Sequence, residues 1–269
     1  MVVDTTPHES PEEGPTSETK SRQKAVPAVA RAVAILRLLG ASKTPLGVNA
    51  IAHRLDIIPS TCLHILRVLL SEELVRVDQQ KRYSLDYGIL TLARSVLRAS
   101  AFGPRIQQRL DQIAGSFPVT ALAARILNLD HMVVIASSAS ASSFHINVEI
   151  GSRQPSLMSA TGRCVAAFGP FDEALVRNRF AQLRWDSPPT YEGWQAEVEE
   201  ARRSGYSIDR GNYMRGVTVI AAPVLDEDGV MAHALVAIGF SDQVEKAGIP
   251  SIARALRDAG ETFSMSPFD

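Results

Sequence analysis

The stretch that decides the fold is residues 46–71, Leu-Gly-Val-Asn-Ala-Ile-Ala-His-Arg-Leu-Asp-Ile-Ile-Pro-Ser-Thr-Cys-Leu-His-Ile-Leu-Arg-Val-Leu-Leu-Ser. Its first half repeats apolar residues at helical spacing, at Val48, Ile51, Ala52 and Leu55. We expect a turn at residues 56–58, where Asp56 takes the left-handed conformation that Asp tolerates better than most residues. A second helix then begins at residues 59–61, with proline and a hydroxyl cap in favoured positions. The stretch predicts two short helices joined by a tight corner.

The second helix has one apolar and one polar face. We expect burial of the apolar members, which are Cys62, Leu63, Ile65, Leu66, Leu69 and Leu70. The opposite row carries hydroxyl, imidazole and guanidinium groups, on Ser60, Thr61, His64 and Arg67. Such groups meet base edges and phosphates in the major groove of DNA. An ordinary helical hairpin with a solvated face fits these residues as well as a DNA-reading helix does.

The residues that follow favour the DNA-reading alternative. Residues 72–77 alternate like a strand, residues 78–80 form a turn, and residues 81–85 alternate back. A helix-turn-helix followed by a hairpin is a winged helix. Its tip carries Lys81 and Arg82, which we expect to contact backbone phosphate or the minor groove.

Helical patterns flank this unit on both sides. Residues 27–40 form its first helix, with Arg31 off the apolar stripe and placed to meet phosphate. Residues 87–100 form another helix, in which Leu92 is expected to face inward. We therefore expect four segments: a disordered tail at 1–23, a winged helix-turn-helix domain at 24–86, a linker helix at 87–103 and a second domain at 104–269.

The second domain mixes strands and helices. Strands are predicted at Thr120–Ile126, His131–Ser137, Phe144–Ile150, Val217–Val224 and Met231–Phe240. Helices are predicted from Arg105 to about Phe117 and from near Thr161, Asp172, Tyr191 and Ile249. This order indicates an α+β fold, an antiparallel sheet with helices packed on it.

Charge is distributed unevenly along the 269 residues, although the formal net charge is only -1. Residues 20–82 hold 11 Lys or Arg against 4 Asp or Glu, whereas the remainder of the chain is acidic. A basic module beside an acidic one is expected when one domain binds nucleic acid. The two cysteines, Cys62 and Cys164, lie on apolar helical patterns, so a reducing cytoplasm is expected. The sequence has no apolar run long enough for a membrane span, so no membrane partner is expected.

Several motifs together resemble the IclR family of bacterial transcriptional regulators. They are the segment Arg31–Leu39, the helix start Ile58–Thr61, the wing end Tyr83–Leu85, the segment from Gly151 to Arg163, the segment Gly205–Gly211, and the run from Gly216 to Val224. The resemblance covers about residues 28–265. It implies a winged helix-turn-helix domain, a linker helix and a GAF-like effector-binding domain. It also implies a dimer, or a dimer of dimers, on a palindromic double-stranded operator, with a small-molecule effector.

The resemblance also places an effector site. It assigns a helix start at the pocket to Ala160, Thr161, Gly162 and Arg163, where backbone N–H groups and the helix dipole hold a carboxylate or amide oxygen. Asp209 matches the pocket aspartate of the family and would accept hydrogen bonds from the ligand. The alternative is that Thr161 merely caps a helix and Asp209 merely stabilises a turn.

The chain departs from the family pattern along two strands. Val219 stands where a cysteine is common, and Val236 and Ile238 stand where two serines are common. These residues, with Met158, give an apolar wall and remove polar anchors. A ligand that combines an aromatic or other apolar body with one polar end is therefore expected, rather than a very short acid.

Two other functions also fit the sequence. An enzyme could use Cys164 beside Arg163 as an activated thiol, but the histidines show no metal spacing and no catalytic fingerprint is present. No cofactor, metal site or catalytic residue is therefore predicted. A constitutive DNA-binding protein without an effector is the other alternative.

Overall fold

The structure is a computed structural model that describes residues 26–99, 102–140 and 145–264. The predicted disordered tail, 1–23, lies outside the described residues. The described chain forms two compact units, which divide between Arg94 and Ser95.

The first unit is a helical core with a small sheet. Its elements are α1 (Pro27–Ala41), β1 (Leu46–Gly47), α2 (Val48–Leu55), α3 (Pro59–Ser71), β2 (Val75–Val77), β3 (Arg82–Leu85) and the beginning of α4 (Gly88–Ala99). The sheet has the order β1-β3-β2, with Leu46 paired to Tyr83 and Val77 paired to Tyr83 from the other side. The hairpin β2–β3 confirms the predicted wing. Strand β1 was not predicted, because two residues are too few to show an alternating pattern.

The corner between α2 and α3 confirms the predicted left-handed residue. Asp56 has φ 51° and ψ 50°, and its N–H donates to the Ala52 and His53 carbonyls that end α2. The predicted hydroxyl cap of α3 is wrong, because Ile58 precedes the helix and no side chain caps it. Pro59 at the first position has no N–H, so this helix start has one unsatisfied donor fewer.

Two leucines expected inside the protein lie at its surface. Leu70 is 38% exposed and Leu92 is 60% exposed. Helix α3 buries a narrower stripe than predicted, formed by Cys62, Leu66 and Leu69. Residues 102–103, expected at the end of the linker helix, instead begin the next helix, because α5 begins at Phe102.

The second unit is a six-stranded antiparallel sheet with helices on both faces. Its helices are α5 (Phe102–Ser116), α6 (Ser159–Phe168), α7 (Glu173–Phe180), α8 (Tyr191–Ser204), α9 (Ser241–Ala247) and α10 (Ile249–Ser264). Its strands are β4 (Thr120–Ile126), β5 (Met132–Ala139), β6 (Arg153–Gln154), β7 (Ser207–Arg210), β8 (Val217–Leu225) and β9 (Met231–Phe240). The order across the sheet is β6-β5-β4-β9-β8-β7.

The side chains of the sheet alternate between two hydrophobic cores. One core holds α5 and α10 against residues such as Ile220, Leu235 and Ala237. The other core holds α6 and α8 against Leu122, Val219 and Val236. The predicted α+β class is confirmed, and so are the strands predicted near β4, β5, β8 and β9.

The strand predicted at Phe144–Ile150 is wrong over residues 145–150, which have no strand structure, and Phe144 lies outside the described residues. The neighbouring position beside β5 is taken by β6, through the pairs Met132–Gln154 and Val133–Arg153. Gly151, with φ +86°, turns the chain before β6 and donates its N–H to the Val134 carbonyl. The segment therefore crosses the sheet instead of extending it.

Candidate functional site

A cavity of about 250 Å³ lies on the face of the sheet that also packs α6. This volume is just below the roughly 300–1,000 Å³ of typical ligand pockets, so it suits a small molecule. Its lining comprises Leu122, Met132, Val134, Ile146, Val148, Gln154, Met158, Ser159, Thr161, Asp209, Tyr213, Met214, Val217, Val219, Val236 and Ile238. Asp209 is the single charged residue in this lining, and most of the other members are apolar.

The floor of the cavity includes three paired residues, one on each of β7, β8 and β9. The register pairs Asp209 with Val219, Val219 with Ile238, and Ile238 with Thr120. The next inward-facing row contains Val236, paired with Leu122. The predicted wall residues Val219, Val236 and Ile238 therefore lie side by side on one surface.

Two irregular segments close the sides of the cavity. Residues 145–150 contribute Ile146 and Val148, and the Thr120 hydroxyl donates to the Ile146 carbonyl at 2.6 Å. The loop at 211–216 contributes Tyr213 and Met214. Asp209 holds this loop, because its carboxylate accepts the N–H groups of residues 212 and 213 at 2.7 and 3.3 Å. Asp209 therefore stabilises a turn, and it also lines the cavity.

Helix α6 contributes fewer of the predicted residues than the sequence indicated. Met158 and Thr161 line the cavity, whereas Ala160, Gly162 and Arg163 do not. The Gly162 N–H is already bonded to the Met158 carbonyl, and a Cβ on Gly162 would lie 1.9 Å from the Leu157 carbonyl oxygen. Gly162 therefore permits close packing of the preceding loop, not the approach of a ligand. Thr161 is not the helix cap either, because α6 begins two residues earlier at Ser159.

Arg163 is fully buried beside the cavity instead of lining it. Its Nε donates to Oε2 of Glu197 at 2.6 Å, Nη1 donates to the Ser159 carbonyl at 2.8 Å, and Nη2 donates to Oδ1 of Asn212 at 3.1 Å. Nη1 also lies 3.6 Å from Oδ2 of Asp209. The guanidinium therefore connects the start of α6, the loop at 211–216 and α8.

Sequence reasoning missed several residues of the cavity. Ser159, Gln154 and Tyr213 add polar groups to the lining, and Ser159 has a positive φ of 53°. The alternation of residues 145–149 was a usable signal for Ile146 and Val148, which do face inward. The polar residues had no local signal, because their positions depend on contacts made far away in the sequence.

Cys164 does not have the features of an activated thiol. Burial raises the pKa of the Cys164 thiol to about 12, against smaller lowering effects from Ser207 and Arg163. Its Sγ lies 3.2 Å from the Ser207 hydroxyl and 3.4 Å from the Ala221 carbonyl. A thiol that stays protonated is a poor nucleophile, so the activated-cysteine alternative is wrong.

The candidate nucleic-acid interface lies on the first unit. Ser60, His64 and Arg67 are exposed on α3, and Thr61 is half-buried among them. Ile58, which was not predicted to take part, is 70% exposed at the start of the same helix. Arg31 is exposed on α1.

The wing tip carries one exposed cation and one paired cation. Lys81 is exposed and has φ +58° in the turn. The Arg82 Nε lies 2.9 Å from Oδ2 of Asp78, and the Arg82 N–H donates to Oδ1 of the same carboxylate. These hydrogen bonds lower the pKa of Asp78, so the pair stays ionised. Lys81 is therefore the more available of the two for phosphate.

None of the described helices is long and apolar enough to cross a membrane. Within the described part of the chain, His, Cys, Asp and Glu side chains form no group of three that could hold a metal ion.

Comparisons with known proteins identify the two units. Residues 106–265 match the family model described as bacterial transcriptional regulator IclR C-terminal, and residues 28–79 match the IclR helix-turn-helix domain. The glycerol operon regulatory protein of Streptomyces coelicolor is 27% identical, covering 87% of this chain and 93% of that protein. The HTH-type transcriptional repressor AllR of Klebsiella pneumoniae is 26% identical, covering 94% of each chain. The crystal structure of an IclR transcriptional regulator from Alicyclobacillus acidocaldarius has a TM-score of 0.78 at 26% identity, covering 89% of this chain and 98% of that one.

The matched regions include helix α3 and the unit that contains the cavity, and the relatives are regulators rather than enzymes. This chain belongs to the IclR family of bacterial transcriptional regulators and is a DNA-binding protein, not an enzyme.

Proposed function

We propose that this regulator represses a catabolic operon and leaves its operator when a small effector occupies the cavity beside α6. The cavity carries the proposal, because an apolar pocket with a few polar groups is the usual form of a small-molecule site. The AllR relative is named as a repressor. The protein acts where the bacterial chromosome is, in the cytoplasm.

The effector that fits combines a carboxylate or acyl group with a small aromatic ring. Val219, Val236 and Ile238 supply an apolar surface for the ring. The first turn of α6 supplies hydrogen-bond donors for an oxygen, and Asp209 supplies an acceptor for a hydroxyl or amine. Acids of two or three carbons would leave most of the apolar surface uncovered.

The DNA partner is a palindromic duplex read by a self-associated protein. Two winged helices bind half-sites about 34 Å, or a multiple, apart, so the protein acts as a dimer or a dimer of dimers. Exposed apolar side chains in the first unit offer surface for self-association: Val26 precedes α1 and Val29 lies on it, and Tyr87 precedes the linker helix α4 and Leu90 lies on it.

The test measures binding of the full-length protein to DNA from its own promoter region and from neighbouring promoters. Fluorescence anisotropy is recorded without ligand and with benzoate, benzamide or pyruvate, and light scattering gives the assembly state. Specific binding by a dimer or tetramer that the aromatic compounds weaken supports the proposal. The proposal is overturned if none of the three compounds changes the DNA affinity, if pyruvate changes it more than the aromatic compounds do, or if the protein is a monomer at micromolar concentration.

A further inference from the structure

Ser159 carries a polar group for which the described protein offers no partner. The residue is only 3% exposed, its Oγ makes no hydrogen bond, and it lines the cavity. Buried hydroxyl groups are nearly always hydrogen-bonded, because an unpaired one loses its bonds to water without compensation. An unsatisfied hydroxyl that also lines a cavity is placed to hydrogen-bond a ligand there.

The hydroxyl stands at the start of α6 beside other unused donors. No side chain caps this helix, and the N–H groups of Ser159, Ala160 and Thr161 have no acceptor among the described residues. These groups carry the positive end of the helix dipole. The donors at this helix start, of which Ser159 and Thr161 belong to residues that line the cavity, match one kind of ligand atom, an oxygen that accepts hydrogen bonds.

The backbone of Ser159 is held in a position that it would not adopt freely. Its φ of 53° lies in the left-handed region, which is uncommon for residues other than glycine. Arg163 Nη1 donates to the Ser159 carbonyl at 2.8 Å. This bond comes from a guanidinium that is itself fixed by Glu197 and Asn212, so the hydroxyl is positioned by a rigid buried cluster.

We propose that Ser159 is a ligand-contacting residue whose hydroxyl, with the first N–H groups of α6, receives the acyl oxygen of the effector. The inference rests on the proposed effector-responsive function and names the residue that selects the ligand. The donors are neutral and the one charged lining residue is Asp209, so selectivity is for an acyl oxygen rather than for negative charge alone. Both a carboxylate and a neutral amide meet this requirement.

The test uses three ligands that share a phenol ring and differ at the para position: 4-hydroxybenzoate, 4-hydroxybenzamide and 4-methylphenol. Calorimetry compares wild type with Ser159→Ala and Ser159→Gly. Alanine removes the hydroxyl and keeps the strained backbone, whereas glycine removes both. Ser152→Ala is the matched control, because the Ser152 hydroxyl is also buried and without a partner but lies outside the cavity lining.

Both Ser159 variants should lose about tenfold in affinity for whichever acyl ligand the wild type binds, a loss equivalent to one hydrogen bond, and should bind 4-methylphenol unchanged. The Ser152 variant should match wild type. The carboxylate and amide arms show whether the acyl group is bound ionised or neutral. If the acyl ligands bind wild type and both Ser159 variants equally, the proposed role of Ser159 is overturned but the proposed effector class is not. If wild type binds none of the three ligands, the role of Ser159 and the effector class are both overturned.

Discussion

Arg163 and Asp209 form an ion pair that solvent hardly reaches: Nη1 of the arginine lies 3.6 Å from Oδ2 of the aspartate, and the two side chains are 0% and 1% exposed. Asp209 faces the cavity, and Arg163 lies behind it. The arginine therefore balances a carboxylate that the lining itself leaves without a countercharge. The same guanidinium also forms an ion pair with the half-exposed carboxylate of Glu197 on α8.

Removing Arg163 should destabilise the second unit strongly. Arg163→Met leaves Asp209 buried without its cation and should lower the free energy of unfolding by about 3–5 kcal/mol. Adding Asp209→Asn removes the uncompensated charge, so the double variant should recover part of this loss. Glu197→Gln should cost at most about 1 kcal/mol, since Glu197 is half exposed. Urea unfolding of the four proteins checks this, and a double variant less stable than Arg163→Met would contradict the ion pair as the cause.

Gly162 should not tolerate even a methyl group. In Gly162→Ala the new Cβ would lie 1.9 Å from the Leu157 carbonyl oxygen and 2.6 Å from its Cα, and backbone cannot yield as a flexible side chain does. We expect a loss of about 1–3 kcal/mol in the free energy of unfolding. Gly115→Ala is the control, because it also lies in a helix but has nothing within 4 Å, and it should stabilise by up to about 1 kcal/mol. Equal melting temperatures of the two variants would disprove this account.

Stability should depend on pH through His233. Burial, with a smaller contribution from Arg125, lowers the pKa of His233 to about 4. Because its folded pKa lies below the unfolded value near 6.5, the unfolded state takes up the proton first as the pH falls. The contribution of neutral His233 to the free energy of unfolding is therefore present in full above about pH 6.5. It decreases by roughly 3 kcal/mol between about pH 6.5 and 4.

The matched comparison for His233 is a pair of variants. His233→Phe keeps a ring to stack on Phe102, whose centroid lies 4.1 Å from that of His233, and removes the titration. Its unfolding free energy should fall less than that of wild type between pH 6.5 and 4. His131→Gln, which changes an exposed histidine, is the control variant. Parallel pH profiles for wild type and His233→Phe would refute the assignment.

Two substitutions in the first unit should affect DNA binding in different ways, one through charge and one through sequence recognition. Lys81→Ala removes an exposed cation at the wing tip, so it should weaken binding to every sequence and reduce the salt slope by about one unit. Thr61→Ala should lower the ratio of operator to random-DNA affinity instead. Lys246→Ala makes the same charge change on α9 of the other unit and should do neither. A salt titration by anisotropy measures both quantities, and a wild type that binds both DNAs equally would contradict the recognition surface.

Local patterns predicted most of this fold because each element carried its own signal. The left-handed Asp56, the strands Thr120–Ile126 and Met231–Phe240, and the helix from Tyr191 could all be read from spacing and turn residues. Residues 145–150 show the limit of such reasoning. Their alternation agrees with the inward-facing side chains Ile146 and Val148, but the strand pairing depended on where β6 lies.

The wall residues of the candidate site were placed by the resemblance to the family, and the strand register brings them together. Val219 and Ile238 face the cavity because they occupy paired positions on one face of the sheet. The position of Arg163 was not predictable, because its partners Glu197 and Asn212 lie 34 and 49 residues away. Ser159 was missed for the same reason, since its unusual φ accompanies a bond from that buried guanidinium.

Polar groups placed on the apolar wall should shift ligand preference. The double variant Val236→Ser, Ile238→Ser removes apolar contact at two positions on one face of β9 and should cost an aromatic ligand about 1–3 kcal/mol of binding free energy. Short acids should bind more tightly because the added hydroxyls offer them hydrogen bonds, so the ratio of benzoate affinity to pyruvate affinity should decrease or invert. Val224→Ser is the control, because Val224 lies in the other core and its loss should lower stability without changing ligand affinity. Calorimetry of the three proteins decides the matter: aromatic ligands that bind the double variant as tightly as wild type would show that this wall does not contact the effector.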